Sequence, residues 1–194
     1  FPECWYGWRK QIPALVEAGC RVIVPDQRGY NLSDKPKDVK SYGVFTLVND
    51  IIGLIDALGY EKVNLVGHDW GAVVAWTLAI LHPERLHRLS IMNVPHPAVM
   101  KRFLQRDFEQ FRRSWYVFFF QLPWLPEAGL KQNDWRGAVS ALRDTSKLNS
   151  FTDEDIVKYK AAWSQPGAMT SMLNWYRAIL RYQPAMPKDP RVKV

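Results

Sequence analysis

Five residues, Gly67-His68-Asp69-Trp70-Gly71, stand between two apolar segments of different character. Before them, Lys62-Val63-Asn64-Leu65-Val66 is a short run of buried-strand type; after them, an apolar helical pattern ends before Pro83. Small residues flanking such a junction permit a turn so tight that its central side chain stands exposed above the sheet. Glycines suit the flanks because the backbones approach too closely there for a Cβ, and the middle residue is strained. The central residue is Asp69, which selects the chemistry: a carboxylate attacking carbon forms an ester that water must then cleave. The helix N-terminus favours the ionised carboxylate, and the Trp70 N–H is placed to stabilise an oxyanion on that ester. A plain N-cap is the competing role for Asp69. The preceding strand and the following apolar helix favour the nucleophile. His68, on the strand side, reads as structural.

Around this elbow, strand and helix signals alternate. Residues 4–18 read as a helix closed by Gly19, with Pro13 kinking it or marking its real start. Arg21–Pro25 reads as a strand, and Asp26–Tyr42 as a polar loop. Val48, Ile51, Ile52, Ile55 and Leu58 recur at helical spacing before Gly59, and Leu89–Asn93 reads as a third strand stopped by Pro95 and Pro97. This alternation predicts a parallel sheet flanked by helices. After Pro97, four or five helical patterns follow with no strand between them. Thr152-Asp153-Glu154-Asp155 resembles a capping box, and Pro166-Gly167 opens an amphipathic helix to Tyr182. The expected organisation is a partial α/β core over 1–97, an all-helical cap over 98–186, and a return to the core over 187–194.

Composition excludes several classes. Nine Trp, eight Tyr and nine Phe in 194 residues supply a core and exclude disorder. The longest mainly apolar stretch, Ala72–Leu81, falls short of the ~20 residues of a membrane span. The net charge of +7 is spread over loops and helices with no nucleic-acid motif, so it reads as solvated surface. Cys4 and Cys20 make no disulfide framework and no zinc spacing. With no export leader at Phe1, a reducing cytoplasmic setting is expected.

These motifs resemble the α/β-hydrolase superfamily and, within it, the soluble epoxide hydrolases. Phe1-Pro2 looks like the tail of that family's His-Gly-x-Pro oxyanion loop, and Asp26-Gln27-Arg28-Gly29-Tyr30 resembles its Asp-x-Arg-Gly loop. His68-Asp69-Trp70-Gly71 resembles the nucleophile motif that epoxide hydrolases share with haloalkane dehalogenases. Two helical segments separate these activities. Ser114-Trp115-Tyr116-Val117-Phe118-Phe119-Phe120-Gln121-Leu122-Pro123 and Leu173-Asn174-Trp175-Tyr176 look like the cap segments that carry the family's two tyrosines.

The resemblance implies Asp69, Tyr116 and Tyr176 as catalytic residues and the Phe1 and Trp70 amides as oxyanion donors. It implies substrate contacts from Phe1, Trp70 and Val117, no metal or organic cofactor, and a small hydrophobic epoxide and water as partners. Opening a strained ether leaves an alkoxide, which a phenol can bind and protonate. Each tyrosine also suits packing alone: Tyr176 shares a helical face with Met169, Leu173 and Leu180, and Tyr116 lies in an aromatic run. A dehalogenase using the same Asp69, or a non-catalytic receptor for a small apolar ligand, remain alternatives. The family completes its site with an acid–His pair after the last strands. None of His68, His82, His87 and His96 fits that position, and Asn93 stands where some relatives carry the acid. The chain is therefore expected to be a fragment of a longer enzyme, exposing sheet edges, folding poorly, and alkylated once without turnover.

Overall fold

The computed structural model describes residues 1–106, 109, 112 and 114–182. In chain order its elements are α1 (Gln11–Glu17), α2 (Val44–Ala57), β1 (Val63–His68), α3 (Trp70–Leu81), β2 (Leu86–Met92), α4 (Pro97–Arg106), α5 (Trp115–Phe119), α6 (Leu125–Arg143), α7 (Asp153–Trp163) and α8 (Ala168–Arg181). They pack as two compact units: Phe1–Lys37 with Leu122–Asn174, and Asp38–Gln121 with the chain from Trp175 on.

The second unit holds the sheet. β1 and β2 pair in parallel, in register from Asn64 opposite Arg88 to His68 opposite Met92. Parallel neighbours need a crossover, and α3 supplies it. Its Ala72, Val74, Ala75, Leu78 and Ala79 are all buried, which is why the helix is apolar nearly all round. α2 buries only the face carrying Val44, Leu47, Val48 and Ile55, and Gly59 ends it at φ +75. Arg85 ties the far ends of these helices together, donating from Nε to the Glu61 carbonyl (2.9 Å) and pairing with Asp56.

Two expectations need correction. Arg21–Pro25 forms no strand: the one ladder among the described residues joins β1 to β2, and a strand exists only through a neighbour's hydrogen bonds. For the same reason β1 is a strand but not a fully buried one, with Val66 43% exposed. The helix expected over 4–18 is also broken. A 3-10 turn at Trp5–Trp8 precedes α1, in which Pro13 takes the third helical position, where no intrahelical N–H bond is lost.

In the first unit, α7 starts at the expected capping box: the Asp155 N–H donates to Thr152 Oγ1, and the Thr152 N–H donates back to Asp155 Oδ2. The same helix holds the N-terminal segment. Trp163 Nε1 donates to the Pro2 carbonyl (2.6 Å), the Tyr159 hydroxyl donates to Glu3 Oε1 (2.9 Å), and Arg9 pairs with Asp155 (2.6 Å). Asp26 anchors its loop by accepting from the Trp5 N–H and from Asn31 Nδ2. Burial pushes the Cys4 thiol up to about 11, so Cys4 behaves as a packed side chain rather than a nucleophile. Among the described residues from Pro97 to Tyr182 there are helices and turns but no strand. The return to the core expected over 187–194 lies outside the described residues.

Candidate active site

The elbow is built by one close approach. A Cβ on Gly67 would sit 2.7 Å from Ala72 Cα, 2.7 Å from the Gly71 carbonyl oxygen and 2.8 Å from Ala75 Cβ. Two of these neighbours are backbone and cannot swing away, so only glycine lets α3 begin this close to β1. The cost passes to Asp69, at φ 51 and ψ −125, a conformation worth about 1–3 kcal/mol of strain in a non-glycine residue.

The geometry of Asp69 differs from that of an ordinary N-cap. An ordinary N-cap has extended backbone angles and accepts from the second or third helical N–H. Asp69 has neither: its Oδ1 accepts from the adjacent Trp70 N–H at 2.8 Å, and its φ is positive. The Asp69 N–H is held in turn by Asn93 Oδ1, at 3.2 Å from the turn after β2. Burial penalises the charged form of Asp69. The hydrogen bond from the Trp70 N–H acts the other way and favours the carboxylate.

The same unit gathers the two tyrosines expected at the site. The Trp70 ring meets the Tyr176 ring edge to face at 4.9 Å, and Tyr176 meets Tyr116 at 5.9 Å. Tyr176 is 6% exposed and Tyr116 39%. Partial desolvation raises the Tyr116 phenol above its ordinary value, and the negative charge of Asp69 adds to the rise. Tyr116 therefore keeps its proton at neutral pH within the field of the carboxylate. Phe120 and Trp175 complete the aromatic wall, at 4.9 Å from Tyr176 and 5.7 Å from Trp70 respectively.

Asp69, Trp70, Tyr116, Val117 and Tyr176 thus all belong to one compact unit, and Val117 follows Tyr116 on α5. Phe1 belongs to the other unit, next to the Pro2 carbonyl that Trp163 holds. Among the described residues no group of three or more potential metal ligands occurs, and no helix is long and apolar enough to cross a membrane. Apart from His68, which adjoins Asp69, the histidines stand elsewhere. His82 ends α3, about 18 Å along the axis from the elbow at ~1.5 Å per residue. His87 lies at the opposite end of the ladder from His68. The His96 ring packs against Trp76 at 5.0 Å and its Nδ1 accepts from the Ala98 N–H.

Residues 1–170 match the family model for the alpha/beta hydrolase fold. The chain belongs to the α/β hydrolase fold family. AB hydrolase superfamily protein YfhM of Bacillus subtilis (strain 168) is 53% identical to this family member over 179 residues, 92% of this chain and 63% of the relative. Epoxide hydrolase 2 of Caenorhabditis elegans is 38% identical over 199 residues, 99% of this chain and 55% of the relative. Among solved α/β hydrolase structures, a mutant epoxide hydrolase from Bacillus megaterium complexed with its product, a naphthyloxy-propane-1,2-diol, superposes with a TM-score of 0.85. It is 35% identical and covers 91% of this chain and 62% of its own. The chain spans roughly three-fifths of the length of these relatives.

Asn93, Phe120, Gln121 and Arg177 are the site-forming residues that sequence reasoning did not assign a role. Asn93 is visible only as a polar residue ending a strand. Arg177 had a usable signal: it is a charge among the Leu173, Tyr176 and Leu180 positions of one helix.

Proposed function

We propose that this chain carries the ring-opening half of an epoxide hydrolase site. Asp69 attacks a ring carbon from the rear, the carbon–oxygen bond breaks, and an Asp69 ester forms. Tyr116 and Tyr176 bind the departing oxygen and one of them supplies its proton, leaving a hydroxyl beside the ester. The carboxylate oxygen that accepts from the Trp70 N–H becomes the ester carbonyl, where the same N–H stabilises the oxyanion of hydrolysis. Water activation is assigned to none of the four histidines. The helices over 98–186 serve as the cap of a core over 1–97. The reaction uses only carboxylate, phenols and water, and so calls for no cofactor. Cys4 and Cys20 fit a cytoplasmic setting.

The observation that carries this reading is a strained Asp69 at the elbow beside Trp70, whose ring meets Tyr176, with Tyr176 in turn in ring contact with Tyr116. An aromatic wall from Trp70, Trp175 and Phe120 favours an apolar epoxide, in keeping with the naphthyloxy diol bound by the Bacillus megaterium relative. The test is exposure of the protein to styrene oxide followed by peptide mapping. The expected result is an ester on the peptide containing Asp69; modification elsewhere, or none, contradicts the proposal. Halide release from a chloroalkane that survives Tyr116→Phe with Tyr176→Phe would assign a dehalogenase instead. Reversible binding with no adduct would assign a receptor.

A further inference from the structure

Two phenols acting on one oxygen must keep a fixed spacing, yet Tyr116 and Tyr176 stand on different helices. α5 spans five residues, too short to hold its own geometry in water. Its C-terminal carbonyls need partners from outside the helix, and three side-chain donors provide them. Gln121 Nε2 donates to the Val117 carbonyl at 3.1 Å and to the Tyr176 carbonyl at 2.8 Å. Buried Arg177 donates from Nε to the Phe120 carbonyl at 3.0 Å, and Arg181 donates from Nη2 to the Gln121 carbonyl at 3.1 Å. Positive charge at a helix C-terminus is favourable in addition.

One amide group therefore touches the backbone of both tyrosine-bearing segments, at the residue after Tyr116 and at Tyr176 itself. We propose that Gln121, braced by Arg177, is a positioning residue that sets the separation of Tyr116 and Tyr176 and so the ring-opening rate. The inference rests on the reading of the two phenols given above. It adds that their spacing is fixed by hydrogen bonds to main-chain carbonyls and not only by ring packing. Gln121→Met keeps volume and loses both donors. Gln121→Glu keeps shape but turns an acceptor toward two carbonyls, an arrangement with no favourable state while the side chain is ionised.

The test has two readouts on the intact protein. The first is the ionisation of Tyr116, followed by NMR with ring-labelled tyrosine and assigned through Tyr116→Phe. Gln121→Met is expected to move its midpoint down toward that of an ordinary phenol. Thr152→Ala, which weakens a cap in the other compact unit, leaves it in place. The second is the rate of ester formation on Asp69 with styrene oxide. Gln121→Met is expected to slow it about 10- to 100-fold, in line with the effect of ångström-scale misplacement. No further loss is expected in the Tyr116→Phe, Tyr176→Phe background. An unmoved Tyr116 midpoint, or equal losses in both backgrounds, overturns the proposal. If the midpoint moves but wild type forms no ester, the epoxide reading fails while the Gln121 coupling stands. Should Gln121→Met not fold, Gln121→Asn keeps an amide one methylene too short and is read by the same titration.

Discussion

The elbow and the tyrosine pair lie in the same compact unit and are built on opposite plans. The elbow is local: Gly67, Asp69, Trp70 and Ala72 fall within six residues, and one close backbone approach fixes them. Asn93 reaches in from the turn after β2. The tyrosine pair is non-local. Its spacing depends on side chains meeting carbonyls 55, 57 and 60 positions away. A site can thus combine a part that steric exclusion makes rigid with a part that a few hydrogen bonds hold in place. Perturbing the first should act steeply, and perturbing the second should act in graded steps.

The largest expected effect is at Asp69, the proposed nucleophile. Asn tolerates positive φ and keeps an oxygen for the Trp70 N–H, so Asp69→Asn should fold normally. It should form no ester, a loss of at least about a thousandfold in labelling rate by mass spectrometry. Next is Gly67→Ala. Its Cβ meets backbone atoms at 2.7 Å, and denaturant titration should show a loss of about 3 kcal/mol or more. A loss under ~1 kcal/mol would show that the elbow yields more readily than its contacts imply.

A graded effect is expected in alkaline solution. The folded state raises the Tyr116 phenol above its unfolded value. The associated stability is therefore complete below the ordinary phenol pKa of about 10 and is lost as pH rises through the folded value. Tyr116→Phe should flatten the alkaline limb of a stability–pH curve, and Asp69→Asn should flatten it in part by removing the charge that adds to the shift. The smallest effect lies outside the site. Thr152→Ala removes one side of the α7 capping box and should cost about 1 kcal/mol with no change in Asp69 labelling.

The same contrast explains what could be read from the chain. Elements fixed by neighbouring residues were legible: α2 with its Gly59 stop, α3 ending before Pro83, the Thr152 capping box, and the elbow itself. Arg21–Pro25 was misread because an apolar run announces strand propensity but not the ladder partner on which a strand depends. The helix over 4–18 was misread because Pro13 fits a first turn as well as a kink, and only the backbone distinguishes them. Tyr116 and Tyr176 were singled out by the motifs around them, whereas nothing in the sequence singled out the carbonyl contacts of Gln121 and Arg177. A hydrogen bond to a distant main-chain carbonyl leaves no periodicity and no spacing.

The most direct measurement is the single-turnover rate of ester formation on Asp69, compared between wild type and the Tyr116→Phe, Tyr176→Phe double variant. Paired general acids predict a drop of about 10²–10⁴-fold with the label still confined to Asp69. An unchanged rate in the double variant would show that the phenols are wall rather than acid, and the central claim would fail.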